Sequence, residues 1–226
     1  MKLSYFLASF CNKMNTLLKG IGKSKDIEIF YDKWSNSYDQ TLYNWNYKAP
    51  KQSVNILKKF IKNKPRYLLD LACGTGLFVE EYLKTYPNCI CDGSDISKKI
   101  LNISEENGKY RSLYKKSFEK KIKIINKYNI VSLIGAMTYC ENHQSLFNLV
   151  SYYLVKKGYF IFTQREDLWK DLNFDNILRS RSDFSLIYKS RPLNYLPKNK
   201  DFGSNIKVRI VLLVKKWFGK FYFGYF

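Results

Sequence analysis

The sequence is poor in the side chains that build metal sites. It holds one histidine and five cysteines, and no two cysteines stand in a Cys-x-x-Cys pair. Structural zinc sites draw their ligands from such pairs and from histidine, so we expect no metal centre. An odd number of cysteines without regular spacing also argues against a secreted disulfide scaffold. We therefore predict reduced thiols and a cytoplasmic protein.

Negative charge is scarce as well. The chain has 19 acidic residues against 39 basic ones, a formal net charge of +20. Such a balance would suit nucleic acid or an anionic membrane surface as a partner. The lysines are nevertheless spread from Lys2 to Lys220 among many Asn, Ile and Tyr residues, which the codon bias of an AT-rich genome would also produce. The charge thus permits a nucleic-acid partner without favouring one.

The sequence also lacks a hydrophobic run of the ~20 residues that a bilayer-spanning helix needs. Near the start, the apolar run from Leu3 to Phe10 is interrupted by Ser4 and Ser9, and no small-x-small cleavage pattern follows it. We therefore predict no transmembrane segment, and we interpret residues 1–25 as an N-terminal extension.

The chain does contain enough apolar material for one ordinary domain. Of its 226 residues, 46% are hydrophobic and 17% are aromatic, which argues against disorder. Aromatic residues at helical spacing predict a helical cap over residues 26–66. Alternating apolar strands and helices predict the main domain over residues 67–214. Residues 215–226 form a basic aromatic tail that could pack on the domain or touch a membrane surface.

A glycine turn between a predicted strand and a predicted helix is the most informative feature. An apolar run from Tyr67 carries Asp70 near its end, passes through Ala72 and breaks into Gly74-Thr75-Gly76 before a helical pattern resumes. Glycines at such a turn let a ligand lie against the backbone, and the free N–H groups of the helix start point at it. Val79 stands where a dinucleotide fingerprint has its third glycine, and no P-loop lysine follows. The motif therefore predicts another nucleotide-type ligand at the carboxyl ends of parallel strands.

A second acid follows about one β-α-β unit later. Asp95 ends the next predicted strand, Cys89 to Asp95, and precedes Ile96 and a helix that Ser97 can cap. A carboxylate in that place can accept hydrogen bonds from both hydroxyls of a ribose. Asp92, within the same strand, competes for this role, although Asp95 stands where the strand should end.

This arrangement, Asp70-x-x-x-Gly74-x-Gly76 followed by Asp95, resembles the class I S-adenosylmethionine-dependent methyltransferases. Further segments look like the Williams-Beuren-region methyltransferase-like subgroup, namely Tyr31-Asp32-Lys33-Trp34, Tyr47-Lys48-Ala49-Pro50, Gly135-Ala136, Thr163-Gln164-Arg165 and Tyr195-Leu196-Pro197. The resemblance implies an α/β fold with a Rossmann-like, seven-stranded, mostly parallel sheet of order 3-2-1-4-5-7-6. Its last strand would be antiparallel, with helices on both faces and an N-terminal helical cap. The implied cofactor is S-adenosylmethionine.

The resemblance also implies which residues bind the cofactor. They are Asp70, Ala72, Gly74, Gly76, Asp95, Ile96, Phe118, Gly135 and two tyrosines of the cap, Tyr31 and Tyr38. A ring of the cap would stabilise the sulfonium cation and exclude water. The loop after the third strand, Lys115 to Glu119, lacks the Asp that usually binds the adenine amine. Ser117, Glu119 and the backbone N–H of Phe118 are the candidates for adenine contacts.

Two residues are assigned to the acceptor, Tyr139 after the fourth strand and Arg165 at the exit of the fifth. Arg165 can bind an acidic substrate group in bidentate fashion, or it can pair with Glu166. No catalytic residue is assigned. Where a general base is needed, the candidates are Tyr139, Glu141 and His143, although a solvated place at a helix start is the simpler interpretation of His143.

Together these features predict methyl transfer to a small-molecule acceptor. A nucleic-acid methyltransferase is one alternative, which the charge allows. Against it, the segment from Gly135 to Tyr139 replaces the Asn-Pro-Pro-Tyr with which exocyclic-amine enzymes hold a flipped base, and no Pro-Cys pair offers a nucleophile for cytosine. A non-catalytic scaffold that keeps the fold, or only binds the cofactor, is the other alternative. The intact Asp70, Gly74, Gly76 and Asp95 count against it.

Overall fold

The computed structural model describes residues 24–199 and 206–216. Most of the predicted N-terminal extension and the tail beyond residue 216 lie outside these ranges. The helices are α1 (Ser24–Trp34), α2 (Tyr38–Asn44), α3 (Ala49–Phe60), α4 (Leu77–Leu83), α5 (Lys98–Glu106), α6 (His143–Tyr153), α7 (Glu166–Asp171) and α8 (Phe174–Arg179), with 3-10 turns at Ser35–Ser37 and Met137–Tyr139. Within the described ranges, every helix is too short or too polar to cross a membrane.

The strands form one sheet. They are β1 (Tyr67–Leu71), β2 (Ile90–Asp95), β3 (Ser112–Lys115), β4 (Tyr128–Leu133), β5 (Leu154–Arg165), β6 (Phe184–Lys189), β7 (Leu193–Asn194) and β8 (Lys207–Lys215). Their order is β3-β2-β1-β4-β5-β8-β6, and β8 runs antiparallel to both of its neighbours. The predicted Rossmann-like order and its antiparallel last strand are confirmed. The short β7, which also pairs with β8, lies between Arg191 and Pro197, where the sequence predicts a loop.

Two hydrophobic cores cover the two faces of the sheet. Along β1, Leu68 packs in one core and Leu69 in the other, and Ile130 and Val131 of β4 divide in the same way. All four side chains are fully buried. Successive side chains of a strand point to opposite faces, so a central strand covered by helices on both sides is apolar at every position. This explains why β1 and β4 appear in the sequence as unbroken apolar runs.

The sequence pattern also predicts a break at Pro50, a single helix from Asp171 to Ser180 and a helix closed by Gly158, and the structure differs at all three. Pro50, predicted as a break, lies in the first turn of α3, where a missing N–H leaves no hydrogen bond unmade. The single helix predicted from Asp171 to Ser180 is two helices, α7 and α8, because Asn173 turns the chain with a φ of +47°. Gly158, predicted to close α6, lies inside β5, which begins directly after that helix.

The cap is fixed above the carboxyl ends of the parallel strands by two of its own carboxylates. Asp32 accepts hydrogen bonds from Ser97 Oγ at 2.5 Å and from the backbone N–H of Lys99 at 3.3 Å, at the start of α5. Asp39 accepts one from Thr75 Oγ1, inside the glycine turn, at 2.5 Å. An acid near a helix N-terminus also complements the helix dipole. The cap therefore closes over the edge of the sheet at which a cofactor would bind.

Candidate cofactor and acceptor site

The glycine turn and the second acid meet at this edge. The turn joins β1 to α4, and both glycines adopt left-handed backbone conformations, with φ of +57° at Gly74 and +95° at Gly76. The backbone N–H of Gly74 donates to Asp95 Oδ2 at 3.0 Å, and that of Ser97 donates to Asp95 Oδ1 at 2.9 Å. These two bonds fix the orientation of the carboxylate at the wall of a cavity beneath the cap.

Burial shapes the electrostatics of Asp95. The residue is 8% exposed. Burial raises the pKa of its carboxyl, while hydrogen bonds from the backbone of Ser97, Gly74 and Ile96 oppose this increase. The nearby Asp32 carboxylate adds to the increase. A ligand that donates hydrogen bonds to Asp95 would favour its charged form.

Asp70 lies deeper than Asp95, beneath the glycine turn. It accepts hydrogen bonds from Ser132 Oγ at 2.6 Å and from the Tyr110 hydroxyl at 2.9 Å. Burial raises the pKa of Asp70 to about 7, and the two hydroxyl donors only partly offset this effect. The Asp70 carboxyl therefore keeps its proton up to about neutral pH.

This pKa predicts that stability falls as the pH rises through the window between the usual carboxyl value and about 7. Within that window the folded state keeps the Asp70 proton that the unfolded state releases. Asp70→Asn removes this titration, so the difference in unfolding free energy between wild type and variant should change by up to about 1.4 kcal/mol per pH unit. Urea titrations across the window measure it. Parallel curves for the two proteins would show that Asp70 does not hold its proton.

The Tyr110 ring packs against two glycines, one in the glycine turn and one in β2. A Cβ atom on Gly76 would lie 3.2 Å from the Tyr110 ring, and one on Gly93 would lie 2.9 Å from it. The ring thus packs against bare backbone while its hydroxyl holds Asp70. Gly76 faces Tyr110, so its absent side chain makes room for a ring of the protein. Sequence reasoning missed Tyr110, because nothing in the pattern around β3 marks it.

Aromatic side chains of the cap form the roof of the cavity. The rings of Tyr31 and Tyr38 lie 6.0 Å apart between centroids, and Trp34 packs edge-on against Tyr38 at 4.8 Å. The Tyr38 hydroxyl would lie 3.7 Å from a Cβ atom on Gly74, so this ring reaches the glycine turn. The Tyr31 hydroxyl hydrogen-bonds that of Tyr139 at 3.1 Å and joins the cap to the loop after β4.

The other end of the cavity begins where β4 ends. Gly135 has a φ of +86°, and a Cβ atom there would lie only 2.7 Å from the Tyr47 hydroxyl. Its backbone N–H donates to Thr163 Oγ1 at 2.7 Å, which fixes the loop. Tyr195 packs edge-on against Tyr47, with 5.6 Å between the ring centroids. Both tyrosines lie in segments that carried the family resemblance, but neither had been assigned to the site.

Arg165 stands at this same end, buried at the exit of β5. Its Nε donates to Asp167 Oδ1 at 3.1 Å and its Nη2 donates to Oδ2. Glu166 instead pairs with Arg209. The predicted alternative of an Arg165–Glu166 pair is therefore wrong, because Glu166 opens α7 on the side that faces β8.

Ten of the twelve predicted binding residues line one cavity, namely Tyr31, Tyr38, Ala72, Gly74, Asp95, Ile96, Phe118, Gly135, Tyr139 and Arg165. Asp70 lines a smaller adjoining cavity that shares Tyr38, Ala72 and Gly74 with the first. The roles of these residues stay predictions, but their common placement follows from the fold.

The adenine candidates Ser117, Phe118 and Glu119 line the same cavity, whereas Glu141 and His143, two of the three proposed bases, do not. Glu119 Oε1 accepts from the backbone N–H groups of Glu141 at 3.0 Å and Asn142 at 2.9 Å, so it holds the loop before α6. The Glu141 side chain is exposed. His143 begins α6 and packs edge-on against Phe174, and burial lowers the pKa of its imidazole. The simple interpretation of His143 as a solvated residue therefore needs correction, because α8 covers part of its ring.

Asp92, the competing acid, lies inside the protein. It is fully buried and accepts hydrogen bonds from Arg111 Nε at 3.0 Å and from the Tyr128 hydroxyl at 2.8 Å. Its partners come from the start of β3 and the start of β4, at the edge of the sheet opposite the cavity. Asp92 is thus a structural anion, which leaves Asp95 as the acid at the cavity.

Known proteins share both the sequence pattern and the fold. A family described as "Methyltransferase domain" matches residues 69–162. Magnesium protoporphyrin IX methyltransferase from Synechocystis, solved with S-adenosylmethionine bound, has a TM-score of 0.64 at 14% identity, over 86% of this chain and 98% of that one. Residues 69–162 of this chain thus match the methyltransferase family, and the chain has the fold of the class I methyltransferases. The subgroup indicated by the further segments stays a prediction.

Two curated relatives match shorter stretches of the chain. Malonyl-[acyl-carrier protein] O-methyltransferase of Halalkalibacterium halodurans is 38% identical over 56 residues, 25% of this chain and 21% of that protein. Human Methyltransferase-like protein 27 is 35% identical over 86 residues, 37% of this chain and 35% of that protein. The chain spans about a third or less of both relatives, so the acceptor of either one is not transferred by the match.

Proposed function

We propose that the methyltransferase domain transfers a methyl group from S-adenosylmethionine to a small molecule that carries a carboxylate. The observation that carries the cofactor half of this proposal is the Asp95 carboxylate, held 3.0 Å from the Gly74 backbone nitrogen at the cavity wall. An acid beside a glycine turn, at the carboxyl edge of a parallel sheet, suits a ribose. The match to the methyltransferase family and the cofactor in the Synechocystis structure support the same cofactor.

The residues present suit this group. Asp95 would accept from the ribose hydroxyls, and the bare backbone at Gly74 would allow close approach of the rest of the molecule. Tyr31 and Tyr38 would cover the sulfonium, where ring faces favour a cation and the cap excludes water. S-adenosylmethionine would supply an activated methyl group, so the task of the chain is to position the acceptor in line.

The acceptor half of the cavity offers hydroxyl groups. Among the described residues, the carboxylates at the cavity are engaged in other contacts and are not available as a base. Burial raises the pKa of Tyr139 and of Tyr195, so both stay neutral hydrogen-bond donors. Glu119 holds the loop before α6, and Asp95 belongs to the cofactor end. A site whose described residues hold no available base suits an acceptor that is already deprotonated at neutral pH.

The position of Arg165 indicates that the acceptor is negatively charged. Burial raises the pKa of Tyr139 and of Tyr195, and the positive charge of the Arg165 guanidinium opposes this increase. All three side chains line the cavity. The guanidinium is paired with Asp167 through Nε and Nη2, so an acceptor carboxylate would accept hydrogen bonds from the two tyrosine hydroxyls and be attracted by the guanidinium beside them. Methylation would form an O–CH3 bond and break the S–CH3 bond without moving a proton. The curated relative that is named as a malonyl-[acyl-carrier protein] O-methyltransferase supports this direction.

The test uses S-adenosylmethionine with a radiolabelled methyl group and three panels of acceptors: carboxylic acids, phenols and amines. We expect labelled products with acids, and mild base should release the label as volatile methanol because methyl esters hydrolyse. Arg165→Gln should raise KM for the acid at least about tenfold while S-adenosylhomocysteine binding stays unchanged, and Arg165→Lys should recover part of the loss. Asp171→Ala, an exposed carboxylate on α7, is the control.

The outcomes separate the two halves of the proposal. A base-stable labelled product would refute the carboxylate and leave methyl transfer in place. Failure of the chain to bind either S-adenosylmethionine or S-adenosylhomocysteine in calorimetry would refute the function itself. Cofactor binding without transfer to any of the three panels would favour the non-catalytic scaffold.

A further inference from the structure

Basic side chains gather at the edge of the sheet opposite the cavity. Because β1, β4 and β5 are parallel, the residues at their starts share one edge, and the antiparallel β8 ends at the same edge. The chain places cations at each of these points: Lys64, Arg66, Lys127, Lys157, Lys215 and Lys216. We call these six residues and Lys121, which lies over the same Tyr152 ring as Lys127, the basic edge. Among the described residues, no salt bridge joins any of the six to an acid, and the nearby Asp183 pairs with Arg181.

At the centre of this edge, two lysine ammonium groups lie over the exposed ring of Tyr152. Lys127 Nζ lies 3.8 Å from the centroid of the Tyr152 ring, and Lys121 Nζ lies 4.1 Å from it. Tyr152 is 42% exposed. Lys215 Nζ lies nearby and donates to the carbonyl oxygens at the end of α6. Burial, and then the charges of Lys215 and Lys121, lower the pKa of Lys127, so these ammonium groups repel one another.

The surroundings of this cluster are apolar as well as basic. Ile125, two residues before Lys127, is 71% exposed. The sequence that follows Lys216 holds seven aromatic residues in ten positions, 217–226, together with one lysine and no acid. Aromatic and aliphatic side chains interspersed with lysines are typical of segments that bind at a lipid headgroup interface.

We propose that the basic edge, together with the exposed Ile125 beside it, docks this protein on an anionic membrane surface. The positive charge of the edge complements a negative leaflet, and Ile125 supplies aliphatic surface beside it. Because the cavity opens at the opposite edge of the sheet, docking leaves it facing the solvent. A membrane explains the exposed Ile125 better than a nucleic acid does, since RNA-binding surfaces use stacking aromatic rings and cations.

The experiment is vesicle flotation of the full chain. One set of vesicles is phosphatidylcholine alone, and in the other about a third of the lipid is phosphatidylglycerol. We expect binding to the anionic vesicles only, and a decrease as salt is raised. The double variant Lys121→Glu, Lys127→Glu should lower the bound fraction more than about tenfold. A matched double variant at the cavity edge, Lys51→Glu with Lys207→Glu, carries the same charge change and should lose at most about half.

The proposal is overturned if wild type binds neither set of vesicles, if it binds both sets equally, or if the two charge-reversed variants lose equal fractions. It is also overturned if a single-stranded RNA binds the protein while anionic vesicles do not. The unfolding midpoint of each variant confirms its folding, and the salt series on wild type decides the matter if a variant fails to fold.

Discussion

Asp95→Ala should weaken the binding of S-adenosylhomocysteine by an order of magnitude or more in calorimetry. The substitution removes a carboxylate that would accept from both ribose hydroxyls, and charge-assisted hydrogen bonds are about twice as strong as neutral ones. It also removes the acceptor of the Gly74 and Ser97 backbone N–H groups, so the glycine turn loses its link to the start of α5. Both effects act on the cofactor end of the cavity.

Two companion variants make this result specific. Asp95→Asn keeps an oxygen acceptor but loses the charge, so its affinity should fall between wild type and Asp95→Ala. Asp171→Ala removes an exposed carboxylate of α7 and should leave binding unchanged. Equal affinity in wild type and Asp95→Ala would mean that the ribose contacts another residue, and the assignment of this acid would be lost.

The fold was predictable because its signals are local. The apolar run of β1, the glycines after it and the acid that ends β2 stand within thirty residues, and each follows from backbone geometry that sequence spacing reports. The boundaries that failed depend on contacts distant in sequence. The start of β5 at Leu154 is set by pairing with Tyr128, and no periodicity in the residues around Gly158 reveals that pairing.

The residues of the site also fall into two groups, those marked by local sequence signals and those that depend on contacts distant in sequence. Gly74 and Asp95 were predictable because a turn and a strand end mark them. Tyr47, Tyr110 and Tyr195 were missed, because each enters the site through a ring or hydroxyl whose neighbour is distant in the chain. Hydrophobic patterns describe a tyrosine as a buried ring and say nothing of the partner of its hydroxyl. Asp92 competed with Asp95 for the same reason, since its pairing with Arg111 is visible only in the folded protein.

Arg111→Ala, which removes the partner of Asp92, should cause the largest loss of stability. Asp92 has no solvent exposure, and after the substitution only the Tyr128 hydroxyl would remain to stabilise its charge. Removing one partner of a buried ion pair leaves an uncompensated charge, which costs about 3 kcal/mol or more. Urea unfolding at neutral pH should show the loss. The Arg111 side chain keeps partial solvent contact, so Asp92→Asn should be milder than Arg111→Ala.

Arg66→Ala is the matched control, because Arg66 and Arg111 lie over the same Tyr67 ring, at 5.2 and 5.5 Å from its centroid. The control loses a comparable ring contact, but Arg66 has an exposed side chain without a buried acid, so its loss should stay below about 1 kcal/mol. Adding Asp92→Asn to Arg111→Ala should restore part of the stability, since the double variant buries no unpaired charge. Equal losses in the two arginine variants would show that ring contact alone, without the ion pair, explains the role of Arg111.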